Sequence, residues 1–163
     1  MLRKSALIAG AFAMLAAGSI FAQSTINDVP FPTGYRDWFL VNTMIVTKDS
    51  PSFTQIGGMH HIYVNAAALP TLKAGGPYPY PDGSVFADDV HEFSLKDGSW
   101  VEGGKKAVTV MVKDSKKDAS TGGWGFGRFI DGKPVDEAQH KTCFPCHAAY
   151  AKEHDFIFTR YAP

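Results

Sequence analysis

The chain holds 163 residues, with 16 lysines and arginines against 16 aspartates and glutamates. This length suits a single domain with a core of its own. The even charge balance offers nothing to a nucleic-acid partner, and past the N-terminal stretch no apolar run is long enough to cross a bilayer.

Residues 1–22 have the layout of a signal peptide. Arg3 and Lys4 supply the positive start, and Leu7 to Ala17 is an apolar run too short to span a bilayer comfortably. Cleavage is expected after Ala22, before Gln23, although Ile20 suits the minus-three position poorly. An uncleaved membrane anchor is the alternative. Removal of the leader leaves 14 basic against 16 acidic residues over 23–163, a slightly acidic single domain. The expected location is the periplasm of a bacterium.

Residues 23–34 read as an extended lead-in broken by Pro30, Pro32 and Gly34. Tyr35-Arg36-Asp37-Trp38-Phe39 opens a short helix or tight turn. Val41 to Thr47 is rich in β-branched residues and reads as a strand. A turn over Asp49-Ser50-Pro51-Ser52 leads to a second strand within Phe53 to Asn65, with Met59 to Val64 as its core. Alternation sends His60 and His61 to opposite faces of that strand, so the two cannot ligate one metal together. Either one is expected as a surface or hydrogen-bonded histidine.

Ala66 to Lys73 reads as a short helix, and Pro81-Asp82-Gly83 as a turn into a strand over Ser84 to Phe93. Asp97-Gly98 marks another turn. Lys106 to Asp114 carries the strongest strand pattern, and Trp124 to Ile130 is a glycine-laced aromatic strand. Val135 to Glu153 carries helix signals, followed by an aromatic closing segment from Asp155 to Tyr161. About five strands and two or three short helices predict an α+β fold, mainly antiparallel sheet.

The C-terminal helix carries Cys143-Phe144-Pro145-Cys146-His147, the Cys-x-x-Cys-His pattern of c-type haem attachment. Each thiol would add across one haem vinyl group, and His147 would be the proximal axial ligand of the iron. Pro145 is expected in the first turn of the helix. A thioredoxin-like dithiol would need sheet and helices still to come, and only 16 residues follow His147. A structural zinc site would need four ligands, and there is no second cysteine pair. A chance match is the remaining alternative. His154 falls on the same helical face as His147 and cannot reach round to the far side of the iron.

With these elements in place the chain resembles the cytochrome P-460 family, which includes the cytochromes c′-beta. The resemblance rests on Tyr35-Arg36-Asp37-Trp38, Ile62-Tyr63-Val64-Asn65, Pro81-Asp82-Gly83-Ser84-Val85, Val112-Lys113-Asp114, Gly123-Trp124-Gly125-Phe126, Cys143 to His147, and Asp155-Phe156-Ile157-Phe158-Thr159. It implies a sheet-rich homodimer with one five-coordinate haem c, bound covalently through Cys143 and Cys146. It also implies histidine on one side of the iron and small molecules on the other. Hydroxylamine-oxidising members carry a lysine cross-linked to the haem a few residues after the Asp-Gly turn. Cytochromes c′-beta lack that bond and bind nitric oxide and carbon monoxide. Reading forward from Asp82-Gly83, the lysine position falls on Asp88, and Asp89 is acidic too. The nearest following lysine, Lys96, lies eight residues or about 26 Å further along an extended strand.

If position 88 faces the haem, alternation places Ser84, Phe86 and Val90 on the same side. Phe86 is then a candidate cap over the open iron position, with core packing as its alternative; Phe53 is a weaker candidate. Asp88 is a candidate proton acceptor, or else sits at the solvent rim. Arg128 is a candidate partner for a haem propionate or for Asp88, or a surface arginine.

The expectation is a periplasmic mono-haem cytochrome that binds nitric oxide, and carbon monoxide, behind a hydrophobic cap. It would have a redox partner protein. The alternatives are a hydroxylamine-oxidising enzyme with a lysine-linked haem, and an electron carrier with a sixth ligand from Met59, Met111, His60 or His61.

Overall fold

The protein is described by a computed structural model over residues 29–135 and 138–163. The expected leader, residues 1–22, lies outside the described residues.

Six strands form one antiparallel sheet in the order of the chain: β1 (Phe39–Val46), β2 (Gly58–Val64), β3 (Val85–Lys96), β4 (Ser99–Lys113), β5 (Trp124–Ile130) and β6 (Lys133–Pro134). Short helices occupy the connections and the C-terminus: α1 (Phe53–Ile56), α2 (Leu69–Ala74), α3 (Gln139–Thr142) and α4 (Phe144–Tyr150). The α+β class expected from the pattern is the observed one. Tyr35–Asp37 forms a single 3-10 turn before β1, where a short helix or turn was expected.

Residues paired directly across an antiparallel ladder share a face, so the register sorts the sheet into two sides. The front face carries the row Phe39, Val64, Phe86, Met111, Phe126, and next to it the row Asn42, Ile62, Asp88, Thr109, Arg128. The back face carries the row Thr43, His61, Asp89, Val108, Phe129. Both faces are covered. Ile62, Val64, Phe86, Met111, Trp124 and Phe126 pack under the C-terminal segment. Tyr63, Ala87, Val108, Val110 and Phe129 pack under Val29 and Tyr35 from the N-terminal lead-in. Strand β2 is buried on both sides, and its second half, Ile62-Tyr63-Val64, is accordingly a continuous apolar run rather than an alternating one.

The glycines of β5 have a packing reason. Front-facing Trp124 and Phe126 alternate with back-facing Gly125 and Gly127, and a Cβ on Gly127 would come within 3.1 Å of Val29. The lead-in therefore lies directly on the backbone of β5.

Several elements differ from expectation. Phe53–Ile56 is a helical turn, not the start of the second strand. The peptide of Gly57 lies against that turn, its N–H donating to the Phe53 carbonyl at 2.7 Å, so the strand begins only at Gly58. Strand β4 starts at Ser99 rather than Lys106, because the β3–β4 hairpin continues past two register shifts near His91 to a two-residue turn at Asp97 and Gly98. Both turn residues have positive φ, 50° and 79°, as such a hairpin turn requires. The short pair β5–β6 adds a sixth strand. The C-terminal helical stretch is broken: α3 ends at Thr142, α4 runs from Phe144 with Pro145 in its first turn, and a 3-10 turn spans Lys152–His154. His154 therefore does not share the helix of His147; its ring packs on Tyr78 instead.

Candidate functional site

Helix α4 is pinned to the front face by Phe144, whose ring meets Phe126 at 6.1 Å and Phe156 at 5.4 Å. Cys143 caps the helix and Cys146 lies one turn on, so the two sulfurs project from the same side, Cys143 half-buried and Cys146 exposed. His147 follows, half-buried, with its ring 5.3 Å from that of Phe126 and 4.8 Å from that of Phe158.

The imidazole has a defined tautomer. Its Nδ1 lies 2.7 Å from the Phe156 carbonyl oxygen. A carbonyl only accepts, so Nδ1 carries the proton and donates it, and Nε2 keeps its lone pair. Burial holds the ring below the ordinary histidine pKa, against the opposing effect of the Phe156 carbonyl. A neutral histidine whose second nitrogen is tied to a backbone carbonyl is the form in which histidines bind metals. Two thiols one turn apart beside such a histidine fit a covalently attached haem.

The carbonyl that holds His147 comes from an unusual turn. Asp155 and Phe156 both adopt left-handed backbone, with φ of 53° and 66°. For a bulky residue such as Phe156 this conformation costs roughly 1–3 kcal/mol and persists only where its surroundings impose it. Those surroundings are visible. Both Asp155 carboxylate oxygens accept from Lys113 Nζ, at 2.9 and 2.8 Å, and one also accepts the Tyr80 backbone N–H at 2.8 Å. Lys113 and Asp155 side chains are 3% and 7% exposed, which makes this a buried ion pair. The Lys113 ammonium also donates to the Gly122 carbonyl and lies 4.9 Å from the Trp124 ring centroid. A side chain on Gly122 would collide with the Phe156 ring.

Lys113 and Asp155 lie within the segments that carry the family resemblance, but their pairing is not evident from those segments alone. A usable pattern was present: Ala107, Thr109, Met111 and Lys113 alternate with Val108, Val110 and Val112. Lysine at a core-facing strand position requires an acidic partner.

Three other sequence candidates stand on the front face, Phe86 in its first row and Asp88 and Arg128 in its second. Asp88, 24% exposed, accepts from His60 Nδ1 at 2.8 Å, while His60 Nε2 donates to the Ile56 carbonyl at 2.7 Å. Burial lowers the His60 pKa, but the hydrogen bond and charge of Asp88, with the Ile56 carbonyl, outweigh it and raise the pKa above the ordinary value. Arg128 stands two strands from Asp88, with Thr109 between them. Phe86 is buried on the front face, its ring edge-on to Tyr80 at 5.3 Å and to Trp124 at 6.0 Å. Phe53 is elsewhere: with Phe93, Leu95 and Trp100 it lines a groove of about 430 Å³. Phe93 is seven residues, roughly 23 Å of strand, from Phe86.

The four candidates for a sixth ligand divide accordingly. Met59 and His61 belong to the back face, by their pairing with His91 and Asp89. His61 bonds Thr43 and Glu102 there. His60 has both ring nitrogens engaged, and Met111 is buried in the front-face core.

The back face holds a polar cluster that sequence reading missed. Asp89 is fully buried and accepts from the Tyr35 hydroxyl at 2.8 Å, with Lys105 Nζ at 3.0 Å and Arg36 at 3.6 Å. Burial raises the Asp89 pKa, but hydrogen bonds from Tyr35, Lys105 and His91 outweigh it and hold the carboxyl below its ordinary range. The sequence signal was the same alternation that put Asp88 on the front.

The family described as Cytochrome P460 matches residues 32–159 of the chain. That span contains all six strands and the Cys-x-x-Cys-His segment, and the chain belongs to this family of haem-binding cytochromes. No curated protein matches the chain.

Proposed function

We propose that the protein is a periplasmic cytochrome of the c′-beta kind, carrying one haem c and binding nitric oxide or carbon monoxide at a five-coordinate iron. The observation that carries the reading is the Nδ1 hydrogen bond of His147 to Phe156, which leaves Nε2 as a donor beside two thiols. Cys143 and Cys146 would each add S–H across a vinyl C=C, with no leaving group, and Nε2 of His147 would bind the iron. The haem supplies a redox-active iron with an open coordination position.

This chain's residues supply the rest. Val64, Phe86 and Met111 form an apolar front-face row beside Phe126, against which His147 packs. Such surroundings exclude water and favour neutral diatomic ligands, with Phe86 as the proposed cap. The engaged nitrogens of His60 and the back-face location of His61 and Met59 support an open iron over a six-coordinate electron carrier. Lys113 projects from the front face, but its ammonium is held by Asp155 and Gly122.

Hydroxylamine oxidation is the second reading, favoured by one observation. The Asp88 carboxylate, paired with His60, stands on the front face, where it would accept substrate protons. Asp88 in place of a cross-linking lysine supports gas binding instead. A redox partner protein would keep the iron ferrous.

The test is the absorption spectrum of the matured, reduced protein before and after nitric oxide. An ordinary high-spin ferrous haem c that changes on adding the gas is expected. A Soret band displaced far to the red would mean a modified macrocycle and put hydroxylamine oxidation first.

A further inference from the structure

We infer that Lys113 and Asp155 are positioning residues for His147, setting through the Phe156 carbonyl how strongly its Nε2 donates to iron. The inference rests on the reading above that His147 is the axial ligand.

The chain of contacts is continuous. Lys113, on the last residue of β4, grips both Asp155 oxygens and the Gly122 carbonyl. Asp155 is fixed from a second side by the Tyr80 N–H. The next residue, Phe156, is held by its own N–H, which donates to the Ala151 carbonyl at 2.8 Å, and by its ring, which sits over Gly122 and against Phe144. The Phe156 carbonyl then receives the His147 proton at 2.7 Å. Helix α4 supplies the histidine, the Phe144 ring against Phe156 and, just past its end, the Ala151 acceptor; the charged contacts come from β4 and the C-terminal segment. The orientation of the ligand is therefore imposed by the sheet, through one buried ion pair.

A carbonyl that accepts from Nδ1 raises the basicity of Nε2, which strengthens the iron–histidine bond and favours ferric iron. Two left-handed residues in succession would relax to ordinary backbone if the ion pair were lost, and the carbonyl would move off the Nδ1–H axis.

The experiment uses the matured holoprotein and two variants. Asp155→Asn keeps size, the acceptor for Tyr80 and tolerance of left-handed backbone, but removes the charge. The double variant Lys113→Met/Asp155→Asn removes both charges and leaves no buried ammonium unpaired, so it folds even if the single variant does not. Val110→Ala, a back-face core change, serves as a control of similar destabilisation. The readouts are the iron–histidine stretching frequency in the resonance Raman spectrum of the ferrous protein and the reduction potential. The expected result is a lower stretching frequency and a higher potential in both charge variants, with neither shifted in the control. An unchanged frequency and potential in the charge variants, or equal shifts in the control, would overturn the inference while leaving histidine ligation intact. Absence of an iron–histidine stretch in the unmodified protein would overturn the ligation reading and the inference together.

Discussion

His60 and Asp88 show what a single pair contributes and when. The folded His60 pKa lies above its ordinary 6.5, because Asp88 and the Ile56 carbonyl favour the charged ring more than burial disfavours it. A raised histidine pKa contributes stability that is complete below about pH 6.5 and is lost as pH rises through the folded value. Thermal unfolding should therefore show a midpoint that falls as the buffer is taken from pH 6 to pH 9. In Asp88→Asn this contribution to the slope should disappear, with about 1–3 kcal/mol lost at pH 6. An unchanged slope in the variant would show that the pair is not formed in solution. Asp89 works with the opposite sign. Its lowered pKa gives stability that is present above the ordinary carboxylate value and is lost as pH falls through the folded one. Adjacent acidic residues in one strand thus serve opposite faces of the sheet. Strand alternation announced the division, but not the partners: Tyr35, 54 residues from Asp89, reaches it only through the tertiary fold.

Elements were legible in the sequence where their own composition decides them. Trp124–Ile130 forms a strand with the expected bounds, and Pro145 opens α4 as its fixed φ suggests. The first half of β4 was not legible. Trp100 to Lys105 holds Glu102 and Gly103-Gly104, weak strand formers that owe their conformation to pairing with β3 along a hairpin arm. Phe53–Ile56 carries apolar and β-branched residues that suit a strand, yet the connection into Gly57 closes a helical turn. Strand β1 is the edge of the sheet, and it exposes Phe39, Leu40 and Met44 at 37%, 46% and 42%. An apolar edge of this kind invites pairing with another chain. We propose the homodimer forms there. Sedimentation should give a dimer for the unmodified protein and a monomer for Leu40→Lys; a monomer in both would remove β1 as an interface.

At the scale of the whole molecule, one sheet carries two cores, and the C-terminal segment with Cys143, Cys146 and His147 packs on its front face. The segment proposed to attach the haem could be read from the sequence because Cys-x-x-Cys-His is contiguous and such chemistry needs that spacing. The contacts around the Phe156 carbonyl could not be, since Lys113, Gly122 and Asp155–Phe156 converge from three separate stretches of chain. The account stands on one assignment: haem bonded to Cys143 and Cys146 with iron on His147. It is tested most directly by extracting the matured, reduced protein with acidified acetone and recording where the haem absorbance goes. The account predicts that the colour stays with the unmodified chain and is released or never acquired in Cys143→Ser/Cys146→Ser. Haem passing into the solvent from the unmodified protein would contradict it.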